Sequence, residues 1–164
     1  MPRLLLMVLS VLVVAGCVQP NEVETQGDSP LLISAEEARL IPMRHVGAIN
    51  EARRALGLEE VSLNLHLAVA ARTHARDMSE QRRVWHFGSD GSSPIERVSR
   101  SGFDGRLIGE NIAETFENDA EILEAWLREH NSRSTILHPD ARRIGFGWEQ
   151  DEDGRLWWVL LVGV

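Results

Sequence analysis

The chain of 164 residues has no lysine, no tyrosine and a single cysteine, Cys17. One cysteine excludes an internal disulfide, so the fold has to rely on core packing and hydrogen bonds. All 17 basic residues are arginines scattered along the chain, and 25 acidic residues leave a formal net charge of −8. Because no basic stripe is present, nothing in the sequence supports nucleic-acid binding. A hydrophobic content of 43% is ordinary for one globular domain.

The first 16 residues are typical of a secretion signal. Arg3 precedes an apolar run over residues 4–16 that contains no acidic residue. The run is shorter than the roughly 20 residues that span a bilayer, and it predicts a cleaved signal peptide over residues 1–16. It ends in Ala15-Gly16-Cys17, which resembles the lipobox of bacterial lipoproteins, where the cysteine carries a diacylglycerol. The alternative is an ordinary signal peptide in which the cysteine is incidental.

The region after the signal predicts an anchor followed by a linker. Residues 17–33 begin polar and contain two prolines and one glycine. We therefore interpret them as a lipidated Cys17 and a flexible tether, and residues 34–164 as the folded domain. Val18, in place of an aspartate after the cysteine, favours sorting to the outer membrane. The expected location is the cell envelope, with the chain lipid-anchored at the outer membrane or on a periplasmic face.

Hydrophobic spacing predicts four helices, over residues 43–56, 63–81, 94–101 and 119–130. Pro42 is expected to interrupt an earlier helical start at Ser34 and to open the first of these helices. Within them, His45 is predicted to lie on the surface, and His74 to be a satisfied core histidine.

The C-terminal third predicts strands. Residues 107–115 are interpreted as an irregular strand or loop. Apolar residues at every second position over 143–149, a short acidic turn and an almost wholly apolar run over 155–164 predict a hairpin. The continuous second run predicts burial on both faces. Helices first and strands last favour an α/β fold: a three-layer α-β-α sandwich with a small sheet and a C-terminal hairpin.

Several short motifs occur in an order that resembles one known family. They are Ile49-Asn50 with Arg53, Ala71 to Met78, His86, Gly109-Glu110-Asn111, the segment that begins at Trp126, and Ile144-Gly145-Phe146-Gly147. Over about residues 43–164 this order resembles the CAP superfamily of cysteine-rich secretory proteins, antigen 5 and pathogenesis-related 1 proteins. The resemblance implies a CAP-type sandwich.

The resemblance also implies a site. Many members of the family bring two histidines and two glutamates together in an open cleft, some with a divalent metal. His86, Glu110 and Glu129 match three of these four positions. The second histidine would fall at position 132, where this chain has Ser132. His130, two residues earlier, is the alternative, so the expected ligand-binding cleft contains His86, Glu110, Glu129 and His130.

No cofactor is assigned from the sequence, although zinc stays open. A catalytic zinc site usually has three protein ligands and one open position. His86 and Glu110 supply two, and either Glu129 or His130 would have to supply the third. Neighbouring helical residues point about 100° apart, so both are not expected to face the cleft together.

Three functions remain open at this stage. The signal and the lipobox predict a membrane-anchored extracytoplasmic protein, expected to be monomeric. The family resemblance implies that it binds a lipid, sterol, peptide or envelope partner in its cleft. The alternative is a hydrolase that uses His86, Glu110 and Glu129 with or without a divalent metal. The chain lacks a Gly-X-Ser-X-Gly elbow, and lipidation would consume Cys17, so no catalytic residue is assigned. The third alternative is a structural spacer in the envelope.

Overall fold

The computed structural model describes residues 32–115 and 118–164. The signal peptide, Cys17 and nearly all of the predicted tether lie outside them. None of the helices described here combines the length and the hydropathy that a membrane span requires. In chain order the elements are α1 (Ala35–Arg54), β1 (Ser62–Leu63), α2 (Leu65–Gln81), α3 (Pro94–Arg100), β2 (Leu107–Glu114), α4 (Asp119–Arg128), α5 (His130–Ile136), β3 (Arg143–Gln150) and β4 (Leu156–Gly163).

The four strands form one sheet in the order β1-β3-β4-β2. Strand β4 pairs antiparallel with both β3 and β2, and all of its residues are buried. Helices α1, α4 and α5 contribute to the core on one face, and α2 and α3 to the core on the other. Trp158 lies in the first core and Trp157 in the second. The predicted three-layer sandwich and C-terminal hairpin are confirmed.

The two faces of strand β3 pack against different layers of the sandwich. Ile144 and Phe146 face the first core. Gly145 and Gly147 face α2, where a Cβ atom would lie 2.1 Å from the carbonyl carbon of Leu67 and 2.4 Å from the amide nitrogen of Arg72. The backbone of α2 therefore rests directly on the sheet, and His74 on this helix lies 3.9 Å from Glu110 on β2.

Helix α1 differs from its prediction. The Ser34 hydroxyl accepts a hydrogen bond from the Glu37 amide, and the helix then runs without a break through Pro42 to Arg54. The predicted interruption at Pro42 was therefore wrong. Ile41 and His45 are buried on either side of the proline, and this packing outweighs the loss of one backbone hydrogen bond.

The prediction that His45 lies on the surface was also wrong. Its side chain is 1% exposed, and its ring stacks on Phe146 with a centroid separation of 3.8 Å. Burial lowers its pKa to about 4, because the charged imidazolium is poorly solvated there.

The predicted helix over residues 119–130 is two helices. The first ends at Arg128, and Glu129 adopts an extended conformation that caps a second helix, α5. Asn118 caps α4. At the other boundary, the amide of Ile33 donates to Gln150 Oε1 at 2.7 Å and its side chain packs on the core. The predicted tether over 17–33 therefore includes at least one residue that belongs to the domain.

Candidate functional site

His86 and Glu110 lie in direct contact although they are far apart along the chain. The imidazole Nδ1 of His86, in the segment between α2 and α3, is 2.9 Å from Glu110 Oε1 on β2. The His86 side chain is 51% exposed, whereas that of Glu110 is 2% exposed. The expected contact between these two residues is present. Its histidine side faces solvent.

The alternation of β2 explains where Glu110 points. Glu110 pairs in register with Leu161, whose side chain lies in the core under α2. Adjacent residues of a strand face opposite sides, and Asn111 accordingly points toward α5, where its amide donates to the Ser132 carbonyl at 3.0 Å. The Gly-Glu-Asn motif thus serves two faces of the sheet: its glutamate serves the site, and its asparagine holds α5.

Arg97 is the partner that sequence reasoning missed. Its Nη2 donates to Glu110 Oε2 at 2.7 Å, and its Nη1 donates to the Ser92 carbonyl at 2.8 Å. Because a buried carboxylate is costly unless paired, this guanidinium offsets the cost of burying Glu110. A capping box formed by Ser93 and Glu96 begins α3, and Arg97 lies on the last turn of this short helix. Nothing in the sequence distinguishes this arginine from the other 16.

The contact with Glu110 also sets the proton position on His86. A carboxylate accepts hydrogen bonds, so Nδ1 of the neutral ring carries the proton and Nε2 carries the lone pair. In its neutral form the ring therefore presents a hydrogen-bond acceptor to solvent, and it is held in place by a carboxylate that is itself held by Arg97.

Two exposed aromatic residues flank His86. Trp85 is 41% exposed and Phe87 is 44% exposed, with ring centroids 5.2 Å apart. The guanidinium of Arg83 lies 3.8 Å from the Trp85 ring centroid. We call Trp85, His86 and Phe87 the His86 surface. Two aromatic residues in a loop are the sequence signal for it.

Glu129 and His130 lie at the start of α5. The Glu129 carboxylate accepts from the amides of Asn131 at 3.0 Å and Ser132 at 2.6 Å. The amides of Ser132 and Asn131 lower the pKa of this carboxyl below its usual range. Both of its oxygens therefore cap the helix, while His130 is exposed. Within the described residues neither oxygen of Glu129 bonds to His86 or Glu110. The role of Glu129 and His130 in the cleft therefore stays a prediction.

The residues at this site do not fit a divalent metal. In the described part of the chain, no three His, Cys, Asp or Glu side chains are grouped as metal ligands. His86 and Glu110 would supply two ligands, but the Arg97 guanidinium lies 2.7 Å from the same carboxylate. A second cation there would meet the positive charge of Arg97 on the same carboxylate.

The remaining histidine of this region, His74, lies behind the His86 surface. Its side chain is 0% exposed, its Nε2 donates to the Trp85 carbonyl at 2.9 Å, and the same nitrogen is 3.9 Å from Glu110 Oε1. The predicted core position is therefore correct, but the prediction that it is fully satisfied was wrong, because its Nδ1 has no hydrogen-bond partner in the described structure.

The model of the cysteine-rich secretory protein family matches residues 46–162. The chain belongs to this CAP family. It is 26% identical over 143 residues to the uncharacterized protein YkwD of Bacillus subtilis. This alignment covers 87% of this chain and 53% of YkwD. It is 27% identical over 135 residues to the uncharacterized membrane protein YlbC of the same organism, over 79% of this chain and 39% of YlbC. The chain thus spans about half the length, or less, of these relatives.

Solved structures share the fold. An outer surface protein of Borrelia burgdorferi has a TM-score of 0.69 at 22% identity, over 76% of this chain and 92% of that one. An extracellular protein with an SCP domain from Bacillus anthracis has a TM-score of 0.66 at 19% identity, over 80% of this chain and 44% of that one. This CAP domain therefore has the architecture of extracellular and outer surface proteins.

Proposed function

We propose that this CAP protein binds an amphipathic lipid or sterol of the cell envelope at the His86 surface. The observation that carries the proposal is an exposed imidazole, fixed by a buried Glu110–Arg97 pair, whose two neighbours in the sequence are exposed aromatic residues. The rings offer apolar area to a hydrocarbon or ring system. The Nε2 lone pair accepts a hydrogen bond from a hydroxyl of the same ligand.

The buried ion pair supports binding in particular. An exposed imidazole is normally free to rotate and to exchange its proton between its two nitrogens. Here the hydrogen bond to Glu110 fixes both the ring orientation and the tautomer. A site that is ordered before the ligand arrives loses less conformational entropy on binding.

The proposal includes the anchor. A lipidated Cys17 and the polar segment that follows would hold the domain beside a membrane, where such ligands are concentrated. Two or three acyl chains give stable anchoring, whereas a single chain binds marginally. The extracellular and outer surface proteins with which it shares the fold support an envelope location.

Lipid co-purification tests the ligand. The full chain is purified from host membranes in mild detergent, and bound lipids are identified by mass spectrometry. We expect one lipid class at near-stoichiometric amounts in the wild type, and at least tenfold less in the double variant W85A/F87A. The matched control is L65A/I95A, which removes two exposed apolar side chains elsewhere and is expected to retain the lipid.

Two results would overturn the ligand proposal: no lipid beyond the anchor in repeated preparations, or equal lipid in all three proteins. The mass of the intact N-terminus tests the anchor separately, because an unmodified Cys17 would remove the anchor without bearing on the His86 surface.

No observation favours the hydrolase alternative. Among the residues that the structure describes, no serine, threonine or cysteine side chain is hydrogen-bonded to His86, so the imidazole has no nucleophile to activate.

A further inference from the structure

Two neighbouring arginines at the end of α2 differ in their partners. Arg82 caps the helix, and its guanidinium pairs with Asp151 at 2.7 Å and with Asp153 at 3.8 Å. Arg83 is exposed, and within the described residues no carboxylate lies within salt-bridge distance of it. Arg83 is therefore a surface cation whose charge has no partner, beside one whose charge is already offset.

The Arg83 side chain is held by an aromatic ring. Its guanidinium carbon lies 3.8 Å from the centroid of the Trp85 ring, and that ring lies 5.2 Å from the ring of Phe87. A guanidinium over an indole face is attracted by the ring quadrupole, and this contact occupies none of its five N–H donors. In the described structure no side-chain hydrogen bond of Arg83 is formed. The guanidinium is therefore positioned while its donors stay available.

An available guanidinium suits the phosphate group of a ligand. Its planar fork donates two parallel hydrogen bonds to a phosphate, and such charge-assisted bonds are stronger than neutral ones. An anion that binds Arg83 has no carboxylate to displace, in contrast to an anion at Arg82. The chain has a formal net charge of −8, but salt screens distant charges over about 8–10 Å, so the local cation decides.

The same surface offers little to an amine. Glu110, the carboxylate that contacts His86, is 2% exposed and already paired with Arg97. One face of the Trp85 ring is covered by the Arg83 guanidinium, which would also repel an ammonium group. A headgroup that combines phosphate with choline or ethanolamine would thus leave its ammonium without a carboxylate partner. A headgroup with a phosphate and no amine fits better.

We propose that the lipid at the His86 surface is an anionic glycerophospholipid, with its phosphate on the Arg83 guanidinium and its apolar part on Trp85 and Phe87. This inference rests on the proposed function and narrows its ligand from a lipid or sterol to one chemical class. The aromatic rings contribute apolar contact area, and Arg83 contributes the selection for charge.

Native mass spectrometry of the full chain in neutral detergent tests the selection for charge. The protein is mixed with equal concentrations of dioleoylphosphatidylglycerol and dioleoylphosphatidylcholine, which share their acyl chains and differ in the headgroup. Phosphatidylglycerol also carries the hydroxyl groups that the proposed acceptor on His86 requires. We expect at least tenfold more phosphatidylglycerol on the wild type. This excess should shrink severalfold when the salt concentration is raised from about 0.05 M to about 0.5 M.

Substitutions assign the selection to one residue. R83Q removes the charge and keeps a polar side chain of similar length. Arg72 is also exposed and has no carboxylate within salt-bridge distance in the described structure, so R72Q is the matched control. We expect R83Q to bring phosphatidylglycerol down to the level of phosphatidylcholine and R72Q to retain the tenfold excess. Thermal unfolding checks that both variants are folded.

The outcomes separate this inference from the proposed function. Equal binding of the two lipids by the wild type, or an unchanged preference in R83Q, overturns the inference and leaves lipid binding intact. A sterol or fatty acid as the co-purified lipid has the same meaning. The variant W85A/F87A is expected to lose both lipids. If the wild type binds neither lipid and no lipid co-purifies, both proposals are wrong.

Discussion

The two faces of the sheet are built on different principles. On the face of α1, α4 and α5, large side chains such as Phe146 and Trp158 stack with ring centroids 5.6 Å apart and fill the space between the layers. On the face of α2 and α3, glycines let a helix backbone lie directly on β3, and a charged pair is buried beside β2. The first face contributes packing energy, and the second places polar groups near the surface. Four experiments test this difference between the two faces.

The largest effect is expected from the buried pair on the polar face. R97A leaves the Glu110 carboxylate, 2% exposed, without its cation. We expect the free energy of unfolding to fall by about 3–5 kcal/mol, measured by denaturant titration. The matched control is R100A on the same helix, whose ion pair is exposed and contributes little. Equal losses in the two variants would contradict the importance of the buried pair.

The close approach of α2 is tested by G145A. The added Cβ would lie 2.1 Å from the Leu67 carbonyl carbon, so helix and sheet have to separate. We expect a loss of about 3 kcal/mol from overpacking, again by denaturant titration. In G47A on α1 the new Cβ meets nothing within 4 Å, and helix propensity predicts a gain of about 0.5–1 kcal/mol. A tolerated G145A would show that the layers are loosely packed.

The aromatic face contains a buried histidine, His45, which is expected to make the stability of the protein pH-dependent. Its folded pKa of about 4 lies below the unfolded value of 6.5, so its contribution is fully present above pH 6.5 and is lost as pH falls toward 4. Between pH 7.5 and pH 5 this amounts to about 2 kcal/mol. His74 on the other face, whose pKa is also lowered, adds a loss of the same sign.

The variant H45F separates the two histidines. Phenylalanine keeps the stack on Phe146 and cannot be protonated, so we expect the pH-dependent loss to shrink by the His45 share. Unfolding free energies at the two pH values provide the measurement, and an unchanged pH dependence in H45F would assign the whole effect to other groups.

The smallest effect concerns Glu129, whose predicted role is in the cleft and whose observed contacts cap α5. E129A is expected to lower Tm by about 2–4 °C through the lost cap and to leave lipid binding at the His86 surface unchanged. E124A, which removes an exposed carboxylate paired with Arg128 on α4, should change Tm less. If E129A instead lost the ligand and kept its Tm, the result would assign Glu129 a role in the cleft rather than in the cap of α5.

The hairpin shows how much of the fold was predictable. Alternation in β3 and a continuous apolar run in β4 are local patterns, and each depends on burial alone. The extent of α1 was not predictable in the same way. The helix continues through Pro42 because Ile41 and His45 are buried in the core on either side of it. The split at Glu129 depends on a cap whose geometry local spacing does not reveal.

The same distinction between local sequence patterns and tertiary contacts applies to the candidate site. His86 and Glu110 were identified from motif order, and their contact was expected. Arg97 was not, since its importance comes from a partner 13 residues away on another element.

The order of hydrophobic and polar residues alone determined the sandwich, its hairpin and the burial of β4, since those features follow from removing apolar side chains from water. Only the tertiary structure decided which charges are buried, which imidazole is exposed and which acceptors lack a donor. Those properties depend on distances between residues remote in the chain, and electrostatic and hydrogen-bond energies change steeply over a few ångströms.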